Sequence, residues 1–183
     1  MGLKIIDAFK PDSYLPTVYD INYPKLYENG IKYAVFDVDC TLLPFDDTRV
    51  TSNNESLFKN IADLGMNAAL CSSGSEKRVK PVADILKVNY MARARKPFVA
   101  FADIKKMFDD DCEPNNTMFV GDSLYLDMLL ADRNKMYKVL VDMVRDGANL
   151  KLFTNDVIQA VMYTALKTEG FHFKEYYIGY RER

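Results

Sequence analysis

The chain has a single histidine, His172, among its 183 residues. A Ser-His-Asp or Cys-His mechanism would have to use that one residue, and a metal site made of several histidines is excluded. The three cysteines, Cys40, Cys71 and Cys112, are widely spaced, and no pair has the CxxC spacing. They therefore indicate neither a zinc site nor a disulfide framework. Any catalysis by this chain would therefore depend on carboxylates, hydroxyls and lysine.

The sequence also lacks a basic excess and a long hydrophobic run. Lys and Arg number 24 against 26 Asp and Glu, which gives a net charge of −2. This balance argues against a nucleic-acid-binding protein. No apolar run approaches the roughly 18 residues of a membrane-spanning helix, and residues 1–10 lack the apolar core of a signal peptide. We expect a cytoplasmic protein, with peripheral membrane contact left open. The sequence indicates no oligomeric state.

What the sequence does contain is an alternation of apolar strands and amphipathic helices. This alternation predicts an α/β fold, with a parallel sheet flanked by helices on both faces. The length fits one domain over 1–183, with an irregular N-terminal segment at 1–30 and a C-terminal helix and aromatic tail at 143–183. Ser52 and Glu55 have capping-box spacing and predict a helix start at 52. Strands are predicted over 31–36, 67–71, 88–91, 117–120 and 137–141, and helices over 24–29, 52–64, 75–87, 99–108, 124–133 and 155–167.

Polar side chains follow three of these strands at the point where each strand ends. Asp37 and Asp39 follow the first, Ser72 the second, and Asp122 a later one. Ligands of open α/β sheets bind outside the carboxyl ends of the strands. An isolated Asp-x-Asp pair would indicate only an acidic turn. Here separated segments, with Lys96 between them, deliver polar groups to one edge of the sheet.

Four motifs occur in a fixed order: DVDCT at 37–41, Ser72, Lys96, and GDSLYLD at 121–127. In this order, and over about residues 8–142, the sequence resembles the haloacid dehalogenase (HAD) superfamily, and more specifically the YqeG family of its subclass IIIA phosphatases. The resemblance implies a Rossmann-like HAD fold. It also implies an enzyme that hydrolyses phosphoric monoesters.

The resemblance assigns roles that suit these side chains. Asp37 would attack phosphorus and become an aspartyl-phosphate. Asp39 would protonate the leaving oxygen and then deprotonate the hydrolytic water, which requires a protonated Asp39 at the start, favoured by neighbouring carboxylates. Thr41 and Ser72 would hydrogen-bond the phosphoryl oxygens, and Lys96 would neutralise developing charge.

The charge of such a site calls for a metal ion. Asp37, Asp122 and Asp127 bring three negative charges and a phosphomonoester adds nearly two, which Lys96 alone does not offset. A hard cation with oxygen ligands does, and Mg²⁺ suits such a site. The resemblance implies that Asp37, the main-chain carbonyl of Asp39 and Asp122 bind the ion. Asp127 then contacts the ligands of the ion or reaches the ion through a water molecule, or, alternatively, is an aspartate on a helix surface.

Two departures from the family pattern lie beside the motifs. Cys40 stands where relatives usually carry Asn, and Ser73-Gly74 stands where they commonly carry Asn-Asn. Either change could alter contacts with the substrate. Cys40 is interpreted either as an oxidation-sensitive thiol beside a charged site or as a small buried thiol.

The spacing of the motifs leaves no room for a separate cap domain. About 30 residues separate Thr41 from Ser72, and about 24 separate Ser72 from Lys96; helices take much of each interval. An uncapped site would admit a phosphorylated lipid, protein or small molecule. Phosphatidylglycerophosphate is the specific expectation, because mitochondrial phosphatases of that lipid resemble the YqeG family.

Other functions remain as alternatives. A phospho-accepting signalling module also uses clustered aspartates, Lys-Pro and magnesium, but there Lys-Pro comes last, whereas GDSLYLD here follows Lys96. A binding protein that has kept the site with little turnover is the other alternative. The C-terminal aromatic tail is interpreted either as a cover for the sheet edge or as a surface for a partner, a second copy or lipid headgroups.

Overall fold

The computed structural model describes residues 7–45, 47–108, 111–145, 153–168 and 170, without the side chains of 153–156. Its strands are β1 (Ser13–Leu15), β2 (Tyr33–Phe36), β3 (Asn67–Cys71), β4 (Asn89–Met91), β5 (Thr117–Gly121) and β6 (Tyr137–Val141). Its α-helices are α1 (Tyr23–Glu28), α2 (Ser52–Asp63), α3 (Glu76–Leu86), α4 (Phe101–Lys105), α5 (Leu129–Arg133) and α6 (Phe153–Thr168). A π-helical turn, Leu124–Met128, leads into α5, and two short 3₁₀ turns lie at Val18–Asp20 and Pro114–Asn116.

The strands form one parallel sheet in the order β1-β6-β5-β2-β3-β4. Strand β2 lies between β5 and β3, and all four of its residues are buried. That burial explains its unbroken apolar sequence, because a central parallel strand is covered on both faces. Phe36 pairs with Leu70 on β3 and with Val120 on β5. The three strands therefore end together, and the residues that follow them meet at one edge.

Helices cover both faces of the sheet, as the sequence predicted. On one face, Phe36 and Leu70 pack in a core with Ile61 of α2 and Val79 of α3. On the other face, Val35 and its neighbours pack with side chains of α4 and α5 in a second core. Adjacent residues of β2 serve opposite cores because side chains alternate along a strand. The predicted α/β fold is confirmed.

The intervals between the motifs are as short as the spacing predicted. Apart from position 46, the described chain between Thr41 and Ser72 holds α2 and β3 beside irregular connections. Between Ser72 and Lys96 it holds α3 and β4. Neither interval contains a separate cap domain within these described residues.

Helix α2 begins at Ser52, the predicted position, but its N-cap differs from the predicted one by one residue. The N-cap is Thr51, whose side chain accepts a hydrogen bond from the main-chain N–H of Asn54, and Asn54 in turn accepts from the main-chain N–H of Thr51. The predicted pair, Ser52 and Glu55, is therefore wrong. Asn54 is buried and also donates to the carbonyl of Leu42, so a contact distant in sequence selects this cap.

The N-terminal segment is less irregular than predicted. Strand β1 pairs with β6, and the hydroxyls of Ser13 and Tyr137 hydrogen-bond at 2.7 Å. Pro11 and Pro16 leave β1 only three residues, too few to show an alternating pattern. The predicted helix over 99–108 is also shorter, at Phe101–Lys105.

The C-terminal helix lies close to its predicted position, while the aromatic tail that follows lies outside the described residues. Leu166 of α6 packs against Leu124 and Met128 of the π-helical turn. Among the described helices, none has the length and hydrophobicity to cross a membrane.

Candidate active site

Five of the predicted site residues line one cavity of about 380 Å³ at the carboxyl edge of the sheet: Asp37, Asp39, Ser72, Lys96 and Asp122. The loop after β4 reaches this edge because its main chain is tied to β3. The N–H of Ala94 donates to the carbonyl of Ser72 at 2.9 Å. The cavity thus collects groups from four separate segments of the chain.

A larger cavity, of about 710 Å³, lies at the opposite edge of the sheet between α2, α3 and the first residues of β3 and β4. It contains none of the predicted site residues. Its lining is mixed apolar and polar, with no cluster of carboxylates. The candidate site is therefore assigned to the smaller cavity on its chemistry.

Three buried carboxylates and one lysine form the centre of the site. Asp37, Asp122 and Asp127 each place a carboxylate oxygen within 4.8 Å of the others. The Lys96 ammonium contacts Asp37 Oδ2 at 2.9 Å and Asp127 Oδ1 at 2.8 Å. Its side chain is only 2 % exposed. Burial opposes the charge of Lys96, but the carboxylates of Asp127 and Asp37 outweigh that effect and raise its pKa.

The pKa values of two of the carboxyl groups, Asp37 and Asp122, are raised, mainly by burial. Burial, opposed by the charge of Lys96 and reinforced by that of Asp127, raises the pKa of Asp37 to about 7. Burial, followed by Asp127 and Asp37, raises the pKa of Asp122 well above its ordinary value. Three carboxylates face one ammonium, so negative charge is in excess. An all-oxygen donor set with excess negative charge fits a hard divalent cation.

Asp127 lies inside the cluster. It is fully buried, and its Oδ2 accepts a hydrogen bond from the main-chain N–H of Ser123 at 3.0 Å. A Cβ at position 121 would lie 2.3 Å from that same oxygen, so Gly121 makes room for it. The alternative of an aspartate on a helix surface is wrong.

Thr41 contacts the cluster but is not among the residues that line the cavity. It is 1 % exposed, and its hydroxyl donates to Asp122 Oδ1 at 2.9 Å. In this arrangement the hydroxyl orients a carboxylate. Its predicted contact with a phosphoryl oxygen stays a prediction.

Cys40 occupies a left-handed backbone conformation, with φ of 63°. Asn tolerates this conformation better than most residues do, which agrees with the Asn that the family resemblance implies at this position. Burial, and then the carboxylates of Asp122, Asp39 and Asp37, raise the pKa of the Cys40 thiol to about 12. A neutral, buried thiol is favoured over the oxidation-sensitive one.

Asp39 and Ser72 form a second pair of polar side chains that line the cavity. The Ser72 hydroxyl lies 3.4 Å from Asp39 Oδ2, and the main-chain N–H of Gly74 donates to Ser72 Oγ at 3.0 Å. Arg78, which the sequence analysis missed, forms an ion pair with Asp39 through Nη2. The available signal was its position in the first turn of a helix that begins at the carboxyl edge of the sheet.

A parallel sheet with a buried carboxylate–lysine cluster at its carboxyl edge is the arrangement of a phosphatase of the HAD superfamily, and the sequence comparisons agree. The chain belongs to the mitochondrial PGP phosphatase family, whose model matches residues 3–147. It is 27 % identical to "Probable phosphatase YqeG" of Bacillus subtilis (strain 168) over 169 residues, covering 88 % of this chain and 94 % of that protein. This membership confirms the resemblance and favours a phosphatase over a signalling module.

The chain also resembles solved structures. An uncharacterized protein from Listeria monocytogenes serotype 4b matches with a TM-score of 0.50 and 14 % identity, covering 66 % of this chain and 86 % of that one. The cobalt-bound deoxy-D-mannose-octulosonate 8-phosphate phosphatase of Haemophilus influenzae gives a TM-score of 0.46 and 18 % identity, covering 80 % and 92 %. The first likeness supports the α/β fold alone.

Proposed function

We propose that this phosphatase hydrolyses phosphomonoesters by way of an aspartyl-phosphate on Asp37. The observation that carries the proposal is the setting of Asp37, which faces the cavity beside Asp122 with Lys96 at 2.9 Å. Its Oδ1 accepts a hydrogen bond from the main-chain N–H of Val38 at 2.7 Å. Both oxygens of the carboxylate are therefore held in a fixed orientation, as a nucleophile requires.

The chemistry divides into two steps. In the first, an oxygen of Asp37 bonds to phosphorus, the bond from phosphorus to the leaving oxygen breaks, and Asp39 gives its proton to that oxygen. In the second, water attacks phosphorus, Asp39 takes the water's proton, and the bond between Asp37 and phosphorus breaks. Lys96 offsets the negative charge near Asp37, and Ser72 lies where its hydroxyl could meet a phosphoryl oxygen.

We also propose Mg²⁺ as the cofactor, held by Asp37, the main-chain carbonyl of Asp39 and Asp122, with Asp127 beside them. The raised pKa values of Asp37 and Asp122 support a cation at this position. When bound, the ion would neutralise the carboxylates and polarise the phosphoryl group.

For the substrate, we propose phosphatidylglycerophosphate or another bulky phosphorylated molecule. The family's description and the short intervals between the motifs support this choice. A cavity without a separate cap over it suits a large leaving group. We propose that a single HAD-like domain carries the activity, and that the protein meets such a lipid from the cytoplasm in peripheral contact with the membrane.

The test is hydrolysis of an aryl phosphate with Mg²⁺ and with a chelator, in the wild type, Asp37→Asn and Asp39→Asn. We expect magnesium-dependent phosphate release that both substitutions abolish. Asp63→Asn is the matched control, because Asp63 is an exposed aspartate paired with Lys59 on α2. Full activity in Asp37→Asn would show that the mechanism is wrong.

A further inference from the structure

Gln159 is a polar side chain on the face of α6 that packs against the rest of the protein. Residues three, four and seven positions apart lie on one face of a helix. Three other residues of this face pack in the apolar cluster around the π-helical turn: Met162, Tyr163 and Leu166. Burying an amide on such a face costs free energy unless the amide is hydrogen-bonded. Gln159 is half-buried and lines the cavity, so its hydrogen bonds bear on the site.

Both ends of the Gln159 amide bind the main chain of the segment that carries Asp122. Nε2 donates to the carbonyl of Asp122, and Oε1 accepts a hydrogen bond from the N–H of Leu124 at 3.0 Å. One partner is an acceptor and the other a donor, which matches the two ends of a neutral amide. Gln159 therefore spans Ser123 and holds the main chain on both sides of it.

Asp127 binds the other ends of the same two peptide groups. Gln159 holds the carbonyl of Asp122 in the first group. The N–H of that group, on Ser123, donates to Asp127 Oδ2 at 3.0 Å. Gln159 holds the N–H of Leu124 in the second group. The carbonyl of that group, on Ser123, accepts from the N–H of Asp127 at 2.9 Å. Because a peptide group is planar and rigid, Gln159 and Asp127 fix the orientation of both planes from opposite sides.

These two peptide groups determine where two carboxylates of the cluster lie. Asp122 is attached directly to the first group, and the carboxylate of Asp127 is hydrogen-bonded to it. Rotation of that plane would move the Asp122 side chain and withdraw the N–H from Asp127 Oδ2. A side chain that prevents this rotation keeps both carboxylates within reach of one ion.

We propose that Gln159 is a positioning residue that holds Asp122 and Asp127 in the arrangement that binds Mg²⁺. The inference rests on the proposed function, because it takes Asp122 as a ligand of the ion and Asp127 as its neighbour. Replacing a side chain that orients metal ligands typically weakens metal binding by roughly 10–100-fold. A neutral amide suits the role, because it supplies a donor and an acceptor without adding charge to the cluster.

The test is calorimetric titration of Mg²⁺ into the wild type and into Gln159→Met at pH 8. Methionine has nearly the length of glutamine and keeps its apolar contacts, but it makes neither hydrogen bond. We expect the Kd for Mg²⁺ to rise about tenfold. Saturating Mg²⁺ should restore most of the rate of aryl phosphate hydrolysis, because the bound ion then holds the two carboxylates.

Asn134→Leu is the matched control for the loss of an amide. Asn134 is half-buried, and its amide donates to two main-chain carbonyls, those of Val99 and Leu130, both at 2.9 Å. It lies just before β6 begins, at the edge of the sheet opposite the candidate site. This variant should lower Tm in a chelator and leave the Kd for Mg²⁺ unchanged. A rise of Kd equal to that of Gln159→Met would show that general destabilisation, not positioning, weakens the site.

Leu166→Ala separates the amide from the docking of α6 as a whole. Leu166 is 1 % exposed and packs against the same π-helical turn, so its truncation leaves a cavity but keeps the hydrogen bonds of Gln159. We expect a lower Tm with a smaller rise in Kd than Gln159→Met gives. Equal rises would assign the effect to helix docking and overturn the inference. If Gln159→Met does not fold, Gln159→Asn decides alone, because its amide is one methylene too short for both contacts and should also raise Kd.

The same titration separates this inference from the proposed cofactor. If the wild type binds no Mg²⁺, the proposed cofactor fails and the inference fails with it. If the wild type binds Mg²⁺ and the Gln159 variant binds it equally well, the cofactor stands and the role of Gln159 alone is refuted.

Discussion

Replacing Lys96 by Met removes the cation that holds the carboxylate cluster together. The methionine side chain has nearly the length of the lysine stem and keeps its apolar contacts, so the change isolates the charge. Asp37 and Asp127 would each lose an ion pair, at 2.9 and 2.8 Å, while remaining buried. Asp122 would add its own charge to a site with no compensating lysine.

The magnitude follows from the burial of these groups. Removing one partner of a buried ion pair costs about 3–5 kcal/mol, because the remaining charge stays buried and uncompensated. For a chain of this size, a loss of that order lowers Tm by roughly 10 °C. The loss should be smaller at pH 5 than at pH 8. Protonation of carboxylates whose pKa values are raised removes part of the repulsion.

Urea unfolding in a chelator, followed by circular dichroism, measures this loss. Lys59→Met serves as the control, because Lys59 is 73 % exposed in its pair with Asp63 and should contribute less than about 1 kcal/mol. Adding Asp127→Asn to Lys96→Met should restore part of the stability, since one uncompensated charge is removed. A loss below about 1 kcal/mol for Lys96→Met, or a double variant no more stable than the single one, would refute the reasoning.

Two further predictions concern the same cluster. First, the pKa of about 7 at Asp37 implies that the stability which the protonated Asp37 gives the metal-free protein is lost as pH rises from about 4 through 7. Mg²⁺ should therefore raise Tm more at pH 8 than at pH 5.5. Equal shifts of Tm at the two pH values would contradict a cation at Asp37. Second, Gly121→Ala should lower the free energy of unfolding by about 1–3 kcal/mol and reduce activity, because the added Cβ would lie 2.3 Å from Asp127 Oδ2. A variant with the Tm and rate of the wild type would show that Asp127 can move away freely.

The centre of the fold could be predicted from the sequence because the buried central strands are apolar. Tyr33–Phe36 and Asn67–Cys71 are apolar over most of their length, and helices of ordinary length separate them. Asp37 follows directly from such a strand, so its place at the sheet edge could be predicted before any contact was known. Its pairing with Lys96 could be expected from charge, but the distances could not.

The missed features depend on contacts that local sequence does not specify. Strand β1 exists because β6 supplies its hydrogen bonds, while its own three residues carry no periodic signal. Asn54 caps α2 because it also reaches the Leu42 carbonyl, which is twelve residues away. Arg78 looked like an ordinary charged residue of a helix surface. Its burial depends on how α3 packs beside Asp39.

The pairing of β1 with β6 constrains the order in which the protein can assemble. Ser13 hydrogen-bonds Tyr137, 124 residues later in the chain, so the first strand of the sheet cannot dock until the last one exists. Contacts of such long range slow folding, because a large loop must close before they form. The β2–β3 pair is local by comparison and can form early. The cluster that joins Asp37 to Asp122 must wait for β5, so a growing chain contains Asp37, the proposed nucleophile, well before the groups that we propose make it reactive.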